Sequence, residues 1–387
     1  MGASSLILIA AAAFFLPLVS GRLRVPAVVL ELIFGAIIGA SVLDVVESSA
    51  LLDQMAQLGF FLLMFLSGFE IDIGLVRRQG RSQLLTGVFV FGLTLLLAYA
   101  ASRLLGHGPF LMFVLGTTSL GLVVPTLRSS GRTTTPLGQT ILISAILADM
   151  LTLVGVTIFA VREEHGVGWE LAGVPAFFLV VGVVLFAMRR IAWWYPERVE
   201  RLFRADDPDE LGIRSSLALM LVFVGLAQVL RIEPILGAFL AGSLFAIVFR
   251  HRGGLEQQLR GFAYGFFIPV FFINVGINFD LELLVDQRNL GGAVALLAAA
   301  ILVKIIPALV FVTRGFSLRE VLAAGSLLSA RLSLIIAVAE LGVRLQLVTP
   351  ALESEIILLA AVSAVVAPSV FRLLAPPVTA PGPSRPG

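Results

Sequence analysis

Two charged residues of opposite sign sit at the centre of runs too apolar for a soluble surface. Asp149 has 11 residues of the stretch 138–161 before it and 12 after. Lys304 has 11 residues of the stretch 293–313 before it and 9 after. At helical rise this puts Lys304 about 14–16 Å from either end of its stretch, beyond the reach of a snorkelling side chain. An isolated charge in hydrocarbon is costly, so a carboxylate there is either protonated or paired with a cation. A proton and a cation competing for one carboxylate is the chemistry of exchange. Lys304 is the single lysine among 27 basic residues. Arginine keeps its proton, whereas a buried lysine can lose it. Lys304 therefore either titrates together with Asp149 or stands as a fixed counter-charge for an acid or a helix end.

Three more charges fall within apolar stretches. Arg331 lies among Ser326, Ser329 and Ser333 and reads as half of a structural ion pair. Glu31 is its candidate partner or, alternatively, a gate. Glu340 lies near the end of its stretch and reads as solvated. The run Gly116-Thr117-Thr118-Ser119-Leu120-Gly121, with Pro125 following, combines helix-loosening residues with hydroxyls. Such breaks expose backbone carbonyls and helix ends to ions. A corresponding break is expected near 327–333, where serines occur without glycine or proline. His107, His165 and His251 all fall between the stretches, and the chain has no cysteine. No nucleophile–base pair and no cluster of metal-ligating residues appears, so neither an enzyme nor a cofactor is called for.

These residues must be positioned by helices crossing a bilayer. The 387 residues are 58% hydrophobic and only 13% charged, with a mean hydropathy of +1.02. That excludes a soluble enzyme, a disordered chain and a disulfide scaffold. A net charge of +2 gives no footprint for nucleic acid. Thirteen stretches qualify as spans: 6–20, 25–43, 53–67, 82–104, 109–126, 138–161, 171–188, 211–230, 233–250, 261–277, 293–313, 319–343 and 352–374. No basic residue precedes the first, which reads as a retained helix rather than a signal peptide. On this count 20 arginines lie on one side and 5 on the other. The positive-inside rule then puts the N-terminus outside and the C-terminus in the cytoplasm of an inner cell membrane. The longest connection, 189–210, holds Arg189, Arg190, Trp193, Trp194, Tyr195, Arg198, Arg201 and Arg204 and reads as interfacial anchoring. Residues 376–387, rich in Pro, Ala and Gly, read as a disordered cytoplasmic tail.

An internal repeat orders these spans. Gly59-Phe60-Phe61-x-x-x-Phe65 recurs as Gly265-Phe266-Phe267-x-x-x-Phe271, and Gly68-Phe69-Glu70-Ile71-Asp72 recurs as Gly276-Ile277-Asn278-Phe279-Asp280. The offset pairs spans 1–6 with 8–13 and leaves span 7 as a connector. An odd offset inverts one half relative to the other, the plan of many secondary transporters. The expected fold is an all-α polytopic bundle with a 6+1+6 inverted repeat.

From about residue 6 to 374 the sequence resembles the monovalent cation:proton antiporter-2 family, of the sodium/proton exchanger fold. The resemblance rests on Pro26 to Gly39 with Glu31, Leu58 through Asp72, Thr118-Ser119 to Gly131, Ile235 to Gly242 and Phe271 to Gly276. It implies a homodimer in which a core of about 82–161 and 293–375 slides against a scaffold of about 1–81 and 205–292. It also implies crossed broken helices 5 and 12, and an Asp149 that binds Na+ or K+ and H+ in turn. Thr118 and Ser119 would lie at that ion site, with Lys304 beside it for charge coupling. Members usually carry Asp, Asn or Gln immediately before that aspartate, and here the position is Ala148. Arg331-Leu332-Ser333 likewise stands where relatives often have Arg-Gly-Glu. The expected activity is Na+/H+ antiport, with K+/H+ antiport, sodium-coupled organic-anion symport and a transport-inactive sensor or scaffold as alternatives. A reporter fused after Arg372 is expected in the cytoplasm and one in the 163–168 connection outside; both on one side would refute the arginine-based orientation.

Overall fold

The computed structural model describes residues 3–23, 25–39, 43, 45–46, 49–71, 81–166, 172–195, 197, 210–249, 254–279 and 287–375. The predicted tail at 376–387, and Arg198, Arg201 and Arg204, lie outside them. Every regular element among the described residues is helical. The first eight helices are α1 Ala3–Leu23, α2 Ala27–Ile38, α3 Ala50–Phe69, α4 Arg81–Leu104, α5 Leu111–Gly116, α6 Leu120–Ser129, α7 Pro136–His165 and α8 Gly173–Trp194. Then follow α9 Leu211–Val229, α10 Pro234–Phe249, α11 Leu255–Phe262, α12 Ile268–Ile277, α13 Gln287–Ala308, α14 Leu318–Leu328, α15 Ser333–Arg344 and α16 Pro350–Leu374.

Each of the thirteen predicted stretches contains helix. Among the described residues nine helical stretches are long and apolar enough to cross a bilayer, and the bent pair α14–α15 makes a tenth. Ile7–Leu23, Ala27–Ile38 and Pro234–Phe249 are shorter apolar helices.

Local chemistry sets the helix ends. Thr135 and Thr349 accept from the amides of Gly138 and Leu352, each ahead of a proline at the first helical position. Ser317 and Glu320 form a reciprocal capping box on α14. A short 3-10 turn, Leu309–Arg314, extends α13 and stops at Gly315, whose φ of 86° is open to glycine at no steric cost. A π-turn at Ala263–Phe267 joins α11 to α12 just before Pro269, which has no amide hydrogen to continue the regular ladder.

Two packing groups result. Helices α1, α2, α3, α9, α10 and α12 pack chiefly on one another, as do α4, α5, α7, α13, α14 and α16. The groups meet where α15 touches α3 and where α10 touches α7. Glycines bring the first group together at backbone distance. A Cβ on Gly68 would overlap the Phe239 carbonyl oxygen, and one on Gly242 the Phe65 carbonyl oxygen, locking α3 to α10. Gly35 and Gly276 do the same between α2 and α12. The two copies of the repeated motif face each other here: Phe60 stacks on Phe271 with centroids 4.9 Å apart and planes 9° apart.

The outer surface of α8 displays Leu179, Val183, Phe186 and Ile191, fit for lipid. At its end Arg190 lies 4.3 Å from the Trp194 ring centroid, an interfacial anchor. Gly242→Ala is expected to destabilise by about 1–3 kcal/mol, because backbone rather than a mobile side chain meets the new methyl. Gly92→Ala, with open space around it, is expected to leave the melting temperature of detergent-purified protein unchanged or slightly raised. Equal melting of the two variants would contradict the backbone packing described.

Candidate functional site

The hydroxyl-rich run near 116–121 breaks its span. Helix α5 ends at Gly116, Thr117 takes φ −58° and ψ 154°, and α6 starts after Ser119 in extended conformation. Pro125 lies inside α6 instead of at the break. The second span breaks at Ser329–Leu332, with α14 and α15 bent by 48°. No glycine or proline causes this second break. Ser363 Oγ, on α16, accepts from the Arg331 amide at 3.3 Å and donates to the Arg331 carbonyl at 3.1 Å. Ser329 Oγ donates to the Ser326 carbonyl at 2.6 Å. Partners from other helices thus hold the chain where local propensity would not break it.

The two breaks lie against each other. Thr118 Oγ1 donates to the carbonyl of Leu328, the last residue of α14, at 3.2 Å. Arg331, wholly buried, reaches from the second break into the first and donates to the carbonyls of Leu115 (2.8 Å) and Thr117 (3.2 Å). It also donates to Ala300 on α13 (2.8 Å), while its Nη1 has no partner. Lys304 Nζ donates to the Gly116 carbonyl at 2.6 Å and to Thr118 Oγ1 at 2.8 Å. Two cationic side chains therefore meet the open carbonyl end of α5, where the helix dipole is negative. This corrects the expectation for Arg331: its partners are backbone carbonyls, not an acid. Glu31 lies elsewhere, on α2, buried with Oε2 unpartnered.

Asp149 faces the other half-helix. It is 4% exposed on α7, and its carboxylate lies beside the Leu120 amide at the start of α6. Ser119 makes no side-chain cap there, so the first amides of α6 are open to an acceptor. Asp149 Oδ1 is buried without a partner, and so is Thr152 Oγ1 one turn along α7. Lys304 acts on Asp149 through its charge. Ala148 lines a small cavity of about 10 Å³ with Thr94, Thr118, Ser144 and Lys304.

Of the residues expected at the site, Asp149, Thr118, Lys304 and Arg331 gather around the crossing, with buried Ser119 in the first break. Glu340 is exposed and lines a separate cavity. Two contributors went unread in the sequence. Thr152 had a signal, its three-residue helical offset from Asp149. Glu70 was noted only as part of a repeat. Its Oε2 would stand 4.0 Å from a Cβ on Gly121, its charge is felt at Asp149, and Arg260 pairs with it at 2.7 Å. Among the described residues no three His, Cys, Asp or Glu gather as a metal cluster. A cation here would be met by one carboxylate with hydroxyl and carbonyl oxygens, a donor set suited to an alkali ion.

A helical membrane bundle with two broken helices crossing beside a buried carboxylate is the architecture of a secondary transporter. Residues 9–375 match the sodium/hydrogen exchanger transmembrane family, and the chain belongs to that family. YjbQ of Bacillus subtilis strain 168 is 33% identical over 394 residues, covering 96% of this chain. The chain spans 63% of the length of YjbQ. The Na+/H+ antiporter of Enterococcus hirae is 25% identical over 370 residues, covering 92% of this chain and 93% of that protein. The structure of the sodium proton antiporter MjNhaP1 from Methanocaldococcus jannaschii superposes with a TM-score of 0.67 at 16% identity, covering 96% of this chain and 98% of that one. The expected sodium/proton exchanger fold is therefore present.

Arg331→Met would leave the Leu115 and Thr117 carbonyls at the end of α5 without this donor, at about 1–3 kcal/mol for each buried acceptor left unmet. Melting of detergent-purified protein is expected to fall in the order wild type, Arg331→Lys, Arg331→Met. An unchanged Arg331→Met would show that these carbonyls find other donors.

Proposed function

We propose that the protein is a cation:proton antiporter of the inner cell membrane, exchanging Na+, or K+ as the alternative, for H+ at Asp149. The observation that carries this reading is the unpartnered, buried Oδ1 of Asp149 beside the N-terminus of α6. A carboxylate so placed is stable when it holds a proton or a cation and unstable when it is bare, so only the loaded site crosses. Thr118, Ser119 and Thr152 supply nearby hydroxyl oxygens, Asp149 carries the charge the cation balances, and Lys304 beside it couples to that charge. With Ala148 before Asp149, one carboxylate exchanges one proton for one cation unless Lys304 also cycles its proton. The sodium reading is supported by the name of the Enterococcus hirae relative; a potassium reading is supported by GerN of Bacillus cereus, named an Na+/H+-K+ antiporter and 28% identical over 292 residues. In this reading α4–α7 and α13–α16 form the moving core, α1–α3 and α9–α12 form the scaffold of a homodimer, α8 connects the two halves, and the N-terminus is outside.

Asp149→Asn keeps volume and hydrogen-bonding capacity but can neither titrate nor neutralise an ion. In proteoliposomes carrying an internal pH dye, wild type is expected to move protons on addition of Na+ or K+. The Asn variant, folded and inserted, is expected to fall to the level of protein-free liposomes. Saturable exchange retained by Asp149→Asn would place the ion site elsewhere.

A further inference from the structure

A cavity of about 310 Å³ opens between the two packing groups, away from Asp149. One wall is α3 and α12, with Asp53, Gln57, Phe60, Phe271 and Asn274; the facing wall is α15 and α16. At its edge Arg344 Nη2 donates to Glu233 Oε2 at 2.5 Å. The two residues belong to different groups. Arg344 is the last residue of α15, the half-helix that begins at the second break. Glu233 sits in the short connection between α9 and α10, and α10 is locked to α3 by Gly68 and Gly242.

The pair is asymmetric. The Glu233 side chain is 7% exposed and that of Arg344 is 55% exposed. Glu233 therefore depends on Arg344, since a buried carboxylate without its partner is strongly disfavoured, whereas Arg344 can turn to water. Glu164, at the end of α7, adds a further acidic charge near Glu233 and increases that dependence. Helix α15 is a single unbroken run of 12 residues. A displacement beside the ion site is thus carried along a stiff rod to Arg344.

We propose that Arg344 and Glu233 form a latch across the seam between the two helix groups, holding the conformation in which this cavity is open and releasing when α15 moves. The inference rests on the antiport reading only in requiring that the groups move relative to each other. Arg344 and Glu233 are positioning residues: neither is placed at the ion. Removing either charge releases the open-cavity state, and restoring an opposite-charge pair in reverse order restores it. The pair sets how long the cavity stays open, not which ion is taken.

The chain has no cysteine, so Gln57→Cys, on the exposed cavity wall, is a single reporter. Its labelling by a membrane-impermeant maleimide reads cavity opening without any ion flux. Glu233→Gln and Arg344→Gln are each expected to slow labelling several-fold, Arg344→Gln by the larger factor because it leaves the buried carboxylate unpaired, with the swapped pair Glu233→Arg/Arg344→Glu recovering part of the rate. Labelling unaltered in both single variants, or unrecovered in the swap, would overturn the latch. A second measurement covers variants that fail to fold. Without the Gln57 reporter, Glu233→Cys/Arg344→Cys joined by a short bifunctional methanethiosulfonate reagent is expected to stop exchange until the link is reduced. Full exchange in the cross-linked protein also overturns the proposal. Latch-dependent labelling in a protein that exchanges no cation would remove the antiport reading and keep the latch. Exchange without latch-dependent labelling would do the reverse.

Discussion

A backbone carbonyl inside a bilayer has no water to turn to, and that constraint organises this molecule. Breaking two spans frees carbonyls and amides at the centre of the bundle, each costly unless a donor or acceptor is brought to it. The freed carbonyls of Leu115, Gly116 and Thr117 are met by Arg331 and Lys304. The freed amide of Leu120 lies beside Asp149. The site is therefore first a solution to a hydrogen-bonding problem. Its charges are the least costly way to close two helix ends that point at each other. Once present, they give the crossing an electrostatic character that plain helices lack.

This arrangement separates two tasks within a few residues. On the side of α5 the acceptors are met, although Arg331 Nη1 lacks a partner: Thr118 both accepts from Lys304 and donates to Leu328, and Arg331 meets three carbonyls. On the side of α6 there is spare capacity, in Asp149 Oδ1 and Thr152 Oγ1. A saturated network is rigid, and unspent acceptors are where a small ion can be taken. In this division the lysine is structural as much as electrostatic, holding the end of α5 while biasing the charge at Asp149. The absence of a polar group at Ala148 leaves Lys304 bonded to backbone and hydroxyl.

The rest of the bundle supplies contrast. Around α3, α10, α2 and α12, glycines allow carbonyl-to-backbone contact with little room to adjust, and the paired phenylalanines fill the layer between. Such packing makes a stiff body. The seam between this body and the helices of the site contains a cavity and an ion pair where the stiff body has glycine contacts. Polar, solvent-reachable contacts can be exchanged at small net cost, whereas interlocked backbone cannot.

Much of this was legible in the residues themselves. Hydropathy alone located helix in every predicted stretch, because an apolar run of bilayer length has few other stable forms. The mid-stretch positions of Asp149 and Lys304 marked the candidate site, since charge at that depth is costly. The break at Thr117–Ser119 was visible in its glycines and hydroxyls. The break at Ser329–Leu332 carried no local signal of its own: it exists because Ser363 and the α5 carbonyls bond to Arg331 across hundreds of residues of sequence or a neighbouring helix. For the same reason the partners of Arg331 were misread as an acid, and the nearness of Glu70 to Asp149 was not seen. Sequence determines which groups cannot be left in lipid unsatisfied. Which partner satisfies each of them is decided only when the helices cross, because those distances are set by packing and not by spacing along the chain.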